Sequence, residues 1–240
     1  MVHSNETLDL RIIFEDIDLV VIDKPAGMIV NDAKTTGNKL TVQEWFKSKI
    51  ESGNPDTEFG SKGGVVHRLD KDTSGLLVLA KTEKAYENLK AQFLERKVVK
   101  KYAALVHGEF KEQQGIISLP IERHPMIWGK FAIGTDLSRT AITEWKALER
   151  YTKYDIRYTM MELMPMTGRT HQLRVHMKHI EHPIAADPIY LNKRQLEADL
   201  VWCPRLFLHA KYLEFDHPES GKRSVFESDL PKDLSDTLVV

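Results

Sequence analysis

The hydrophobic positions of this chain fall in short runs, and their period changes between two and about 3.6 several times along its length. Leu10-Arg11-Ile12-Ile13-Phe14 and Leu19-Val20-Val21-Ile22-Asp23 are rich in β-branched residues and are separated by the polar Glu15-Asp16-Ile17-Asp18. That pattern predicts two short strands joined by a turn. Lys24-Pro25-Ala26-Gly27 then stops the second strand, because proline withholds its N–H and glycine admits a turn. Thr41 is placed to cap a short helix over Val42–Phe46, and the polar stretch from Glu51 to Gly64 reads as an exposed loop. Leu76 to Ala80 is wholly apolar and suits a buried strand, after which Thr82 opens a helix with Tyr86, Leu89, Phe93 and Leu94 at helical spacing. Val98 to Val106 returns to strand character, with Tyr102, Ala104 and Val106 alternating against Lys101, Ala103 and Leu105. Ala141 to Leu148 and Ile156 to Leu163 add strands, and a short helix follows Gly168 with Leu173, Met177 and Ile180 on one face.

Strands outnumber helices and do not alternate strictly with them. The predicted class is therefore α+β, a mixed, largely antiparallel central sheet with flanking helices, rather than a doubly wound parallel sheet. No repeat, low-complexity tract or long linker divides the chain, so residues 1–240 are expected to form a single domain or two packed subdomains.

Composition narrows the function classes. With 240 residues and 42% hydrophobic content, a substantial core is expected. No apolar run approaches the roughly 18 residues needed to span a bilayer, and MVHSNETLDL lacks the basic and apolar regions of a signal peptide, so a cytoplasmic protein is expected. Cys203 is the only cysteine and offers neither an internal disulfide nor a thiolate cluster. The net charge of -1 does not by itself suggest nucleic acid. Its distribution is less even: residues 81–101 hold seven Lys/Arg against three acids, ending in Arg96-Lys97-Val98-Val99-Lys100-Lys101.

Two polar clusters stand out. His67-Arg68-Leu69-Asp70-Lys71-Asp72-Thr73-Ser74-Gly75 precedes the apolar run at Leu76. Asp70 and Asp72 could serve as base, nucleophile or metal ligand, while Thr73-Ser74-Gly75 could simply close a turn. The second cluster is Thr167-Gly168-Arg169-Thr170-His171-Gln172-Leu173-Arg174-Val175-His176. An arginine near a helix start gains nothing from the helix dipole, so Arg169 calls for an acidic partner or a phosphate unless it is a plain surface residue. His171, His176, His179 and His182 invite a metal reading, but the HExxH pattern is absent and no cysteine lies nearby, so no metal is expected.

Taken in order, these motifs resemble the RluA-type pseudouridine synthases. His67-Arg68-Leu69-Asp70 followed by Thr73-Ser74-Gly75-Leu76-Leu77-Val78 resembles their signature, with His67 favouring the RluA over the RsuA branch. Asp23–Gly27, Lys101–Gly108, Gly168–His176, His182-Pro183-Ile184 with Asp187-Pro188-Ile189-Tyr190, and Arg205–Ala210 complete the resemblance from about Ile12 to Pro218. The resemblance implies an RNA-modifying isomerase without cofactor, a monomer with no obligate protein partner, acting on a structured RNA, either transfer or ribosomal. It implies a catalytic body spanning the whole chain, without the small N-terminal RNA-binding domain of many members. It assigns Asp70 as nucleophile, Arg169 as the charge partner that keeps Asp70 ionised, and Tyr102 as a residue stacking on the target base. It further implies substrate contacts at His67, Arg68, Leu69, Thr73, His171, Gln172 and Arg174, with Arg68 filling the space of an extruded uridine. Lys97, Lys100 and Lys101 would add phosphate contacts. The segment Glu122 to Arg139, including Met126-Ile127-Trp128, fits the pattern less well and reads as a substrate-specific loop or an irregular hairpin.

Overall fold

A computed structural model describes residues 10–32, 40–50 and 56–239. The chain divides into two compact units, one reaching to Lys97 and including Phe215–Phe226, the other comprising Val98–Glu214 and the stretch from Glu227.

In the first unit, β1 (Arg11–Glu15), β2 (Leu19–Lys24) and β3 (Ser74–Ala80) pair antiparallel in that order. The polar break predicted between β1 and β2 is a turn closed by Asp16, whose Oδ1 accepts the N–H groups of Asp18 and Leu19, both at 2.9 Å. β3 is buried along its whole length, as its unbroken apolar run requires. Helices α1 (Val42–Phe46) and α3 (Glu83–Leu94) start where their caps predict, with Thr41 Oγ1 accepting from Glu44 N and Thr82 Oγ1 from Ala85 N. Between them lies α2 (Glu58–Lys62), a correction to the exposed loop expected over Glu51 to Gly64. Thr57 caps it and Gly63 ends it in the left-handed conformation, so five residues form a turn of helix too short to show a period. Residues 51–55 of that stretch lie outside the described residues. Leu94, expected on the buried stripe of α3, is exposed. The strand Arg223–Glu227 brings Phe226 back to this unit, against Phe14 and Phe215.

The second unit contains β4 (Val99–His107), β5 (Gln114–Arg123), β6 (Phe131–Ile133), β7 (Thr140–Lys153), β8 (Ile156–Pro165), helices α4 (Gln172–His179) and α5 (Lys193–Leu200), and all but the last two residues of β9 (Leu208–Asp216). Its strands run in the order β9-β4-β8-β7-β5-β6, every neighbouring pair antiparallel. β4 lies between β9 and β8, and from Tyr102 onward it is buried on both faces, so the one-sided alternation expected for Ala103 and Leu105 does not hold. Its pairing with β9 slips in register between Lys101 and Tyr102. The segment Glu122 to Arg139 is a hairpin, with Ile121 opposite Ile133 and Arg123 opposite Phe131, followed by a 3-10 turn at Leu137–Arg139.

Buried polar groups tie this unit together. Asp199 Oδ2 accepts the Ala186 N–H at 2.7 Å and lies 2.8 Å from His107 Nε2, while Tyr158 OH donates to Asp199 Oδ1. Arg174 makes a two-point ion pair with Asp187 at 2.8 and 2.7 Å. Six of the eight residues of α4 are buried, a wider burial than the single face predicted. Among the described residues, no helix is long and apolar enough to cross a membrane.

Candidate active site

The first unit presents Asp70 on the loop that leads into β3. Thr73 N–H donates to Asp70 O at 3.2 Å and closes a turn across Lys71 and Asp72. Leu69 and Thr73 are buried on either side, Asp70 is half-buried, and Arg68 is exposed. Behind the turn, Lys71 O accepts from Gly27 N at 2.8 Å and from Lys24 Nζ at 3.1 Å. Lys24 is completely buried and donates also to Pro25 O at 2.8 Å and Met28 O at 2.9 Å. Three carbonyl oxygens thus match the three donors of one ammonium, and the bond to Lys71 O ties β2 to the Asp70 loop. Gly75, opposite Lys24, has φ +116°, a conformation that a side chain would strain as the loop enters β3.

Lys24 was missed as a functional residue by sequence reasoning, although a lysine closing an apolar strand immediately before proline was a usable signal. His67, expected to contact substrate, packs against its own unit. Its Nε2 accepts the Val78 N–H at 3.1 Å and its ring stacks on Phe93 at 4.6 Å, so it extends the cover of β3 that continues with Val65 opposite Leu79 and Ala80 N on Gly64 O. Leu69 and Thr73 are buried in the loop, and Arg68 and Lys71 are the exposed side chains on either side of Asp70.

The second unit supplies Tyr102, almost fully buried at the β4 bulge, and the turn that opens α4. Gln172 organises that turn. Its Oε1 accepts from Thr167 Oγ1 at 2.7 Å and from the Arg169 N–H at 3.1 Å, and its Nε2 donates to Ile142 O at 2.9 Å and Thr143 Oγ1 at 3.0 Å. The amide is saturated, so it fixes the backbone that presents Arg169. Arg169 itself is exposed, with Nη2 donating to Ser138 O at 3.3 Å. His171 adopts φ +56° and places Nδ1 3.0 Å from Tyr190 OH, which also accepts the Phe131 N–H at 3.1 Å. Gln172 and Arg174, both expected to contact RNA, are buried and bonded to protein groups.

Thr143 Oγ1 also lies 2.9 Å from His176 Nδ1, and burial pushes the His176 imidazole down to about 4. An unfolded histidine titrates near 6.5, so between these values the unfolded chain binds a proton that the native chain refuses. Stability therefore falls as pH drops from about 6.5 towards 4, by about 1.4 kcal/mol per pH unit and on the order of 3 kcal/mol in all. In urea unfolding at pH 7 and 4.5, His176→Gln is expected to lose less stability on acidification than the wild type. An equal loss in both proteins would assign the acid limb to other groups.

The other candidates are engaged as follows. Lys97 pairs with Glu95 at 2.6 Å and Lys101 sits over the Tyr212 ring at 4.7 Å. Burial pushes the Lys100 ammonium down to about 8. His182 Nδ1 lies 2.7 Å from His107 O, and its ring stacks on Phe110.

The profile of the family described as RNA pseudouridylate synthase matches residues 18–179. The chain is 39% identical over 236 residues to a ribosomal large subunit pseudouridine synthase D of Nitrosomonas europaea, covering 97% of this chain and 65% of that protein. It is 38% identical to the protein of the same name from Pseudomonas aeruginosa, covering 95% and 71%. The chain thus spans about two thirds of the length of these relatives. Among solved structures, Human RNA Pseudouridylate Synthase Domain Containing 1 superposes with a TM-score of 0.72 at 25% identity, over 98% of this chain and 90% of that one.

Proposed function

The chain belongs to the RNA pseudouridylate synthase family, and from that membership we propose that it isomerises uridine to pseudouridine in large-subunit ribosomal RNA, with Asp70 as nucleophile. The observation that carries this reading is the Asp70 loop: a half-buried carboxylate on a turn whose backbone is pinned from behind by a buried lysine. A reacting group held in one geometry is what covalent catalysis requires. The names of the relatives favour ribosomal over transfer RNA.

The reaction breaks the bond from the sugar C1′ to N1 of the base, turns the base, forms a bond from C1′ to C5, and moves the C5 proton to solvent while N1 gains one. It is redox-neutral and needs no other reactant. The Asp70 carboxylate engages the sugar or the base while the two are separated. Arg169 acts as its charge partner and favours the ionised form. Tyr102 stacks on the target base and assists removal of the C5 proton, directly or through water. The uridine must leave its stack to reach the carboxylate, and exposed Arg68 fills the space it vacates. The protein works in this reading as a cytoplasmic monomer.

Mass-sensitive pseudouridine mapping of total RNA, with the gene intact and deleted, tests the substrate. Loss of a discrete site in large-subunit ribosomal RNA is the expected result. Loss from transfer RNA alone would move the substrate, and purified protein that leaves uridine unchanged in every natural RNA would end the reading.

A further inference from the structure

The turn between β5 and β6 holds its largest side chains out in solvent. Met126 and Trp128 are each 87% exposed. Apolar groups on a slack loop would fold back onto the protein, but this turn is braced. His124 Nδ1 accepts the N–H groups of Met126 and Ile127 at 3.2 and 3.1 Å, His124 N donates to Lys130 O at 2.9 Å, and Lys130 N donates to Ile127 O at 3.3 Å.

The root of the hairpin is fastened to the turn that carries Arg169. Tyr190 OH bonds both Phe131 N and His171 Nδ1, the Phe131 ring meets the His171 ring edge-on at 5.4 Å, and Ser138 O accepts from Arg169 Nη2. A ligand seated on the tip is therefore referenced to the α4 turn. Charge on this stretch is asymmetric. Arg123 is exposed beside the tip, and Lys130, half-buried after it, holds its ammonium 5.4 Å from the centre of the Tyr190 ring at the hairpin root. The acids Glu122 and Asp136 turn their carboxylates onto local N–H groups, those of Thr135 and Asp136 for Glu122 and that of Ser138 for Asp136.

An exposed indole near two cations, with the neighbouring acids Glu122 and Asp136 held by local N–H groups, fits a polyanion that bares flat apolar faces, which is single-stranded RNA. A duplex offers the phosphates but keeps its base faces stacked. We propose that Trp128 is a stacking platform for an unpaired base of the substrate strand outside the target uridine, with Arg123 and Lys130 contacting the adjoining phosphates. The proposal rests on the RNA substrate argued above and adds a specificity-determining contact to it.

Binding of a single-stranded decauridylate, with duplex RNA of the same length as control, separates the outcomes. Trp128→Ala is expected to weaken the single-strand complex about tenfold, with Trp128→Tyr restoring most of it. The single strand should quench wild-type tryptophan emission more than that of Trp128→Phe. On a ribosomal RNA transcript, Trp128→Ala should raise KM by a similar factor and keep kcat. Unchanged oligonucleotide affinity and unchanged KM would overturn the proposal while leaving the enzymatic reading intact. Equal quenching by duplex RNA would also overturn it, as would a concentration-dependent dimer abolished by Trp128→Ala in sedimentation, which would give the tip to a second copy of the chain. Absence of pseudouridine formation by the wild type is a separate result: it sinks the enzymatic reading, while the decauridylate measurements still decide the stacking contact.

Discussion

Purified Asp70→Asn protein is expected to form pseudouridine on the order of 10⁴-fold more slowly than the wild type, or not measurably, while melting within about 2 °C of it. The substitution is chosen because it changes charge and almost nothing else. The bond from Thr73 N that closes the turn goes to the backbone carbonyl of residue 70, and the pins on the loop go to Lys71 O, so asparagine leaves the framework in place. What disappears is the anionic oxygen that can add to an electrophilic carbon. Asp70→Glu is the companion variant. It keeps the charge but displaces it by one methylene, and a misplaced reacting group is expected to cost on the order of 10²-fold. If Asp70→Asn turned over at near the wild-type rate, the nucleophile would have to be sought elsewhere, whatever the family resemblance.

The largest expected effect on stability belongs to Lys24→Met. The side chains are close in length, and methionine fills the same space, but the carbonyls of Pro25 and Met28 lose their ammonium donor, the second of them in a buried bond, and Lys71 O keeps only the Gly27 N–H. Each buried acceptor left without a partner costs about 1–3 kcal/mol. With partial relaxation and hydration, a net loss of roughly 3 kcal/mol is expected, which corresponds to a fall in melting temperature of about 6–12 °C in a protein of this size. Because one of the three bonds ends on the residue after Asp70, kcat should drop as well, and it should remain low at temperatures where the variant is fully folded. Circular dichroism melting combined with single-turnover assays at 15 °C measures both. A destabilised variant with a wild-type single-turnover rate would make Lys24 a purely structural lysine.

The elements with strong local chemistry were legible in the chain. Thr41 and Thr82 cap their helices because the signal is a hydroxyl one turn from the N–H it satisfies, and no distant residue takes part. The run at Leu76 to Ala80 announced a buried strand because burial on two faces tolerates no polar residue. Both chemical clusters were also visible, as dense polar residues between apolar runs. The short helix Glu58–Lys62 was not, since five residues carry no period.

The roles of individual motif residues divide along the same line. Sequence by itself determined the fold class, the strand and helix starts that depend on neighbours in the chain, and the positions of the two chemical clusters. It could not separate the reactive residues of a motif from those that brace it, because a histidine, a glutamine and an arginine look equally chemical in a string. Tertiary structure decided that His67 accepts the Val78 N–H of β3, that Gln172 saturates itself on the Arg169 turn, and that Arg174 is bound to Asp187. It also turned Lys24 from punctuation before a proline into the clamp behind Asp70, and raised Trp128 on a braced hairpin. For His67, Arg174 and Lys24 the deciding partner lies 11, 13 and 47 residues away in the chain, and a buried polar group takes its role from the partner that satisfies it.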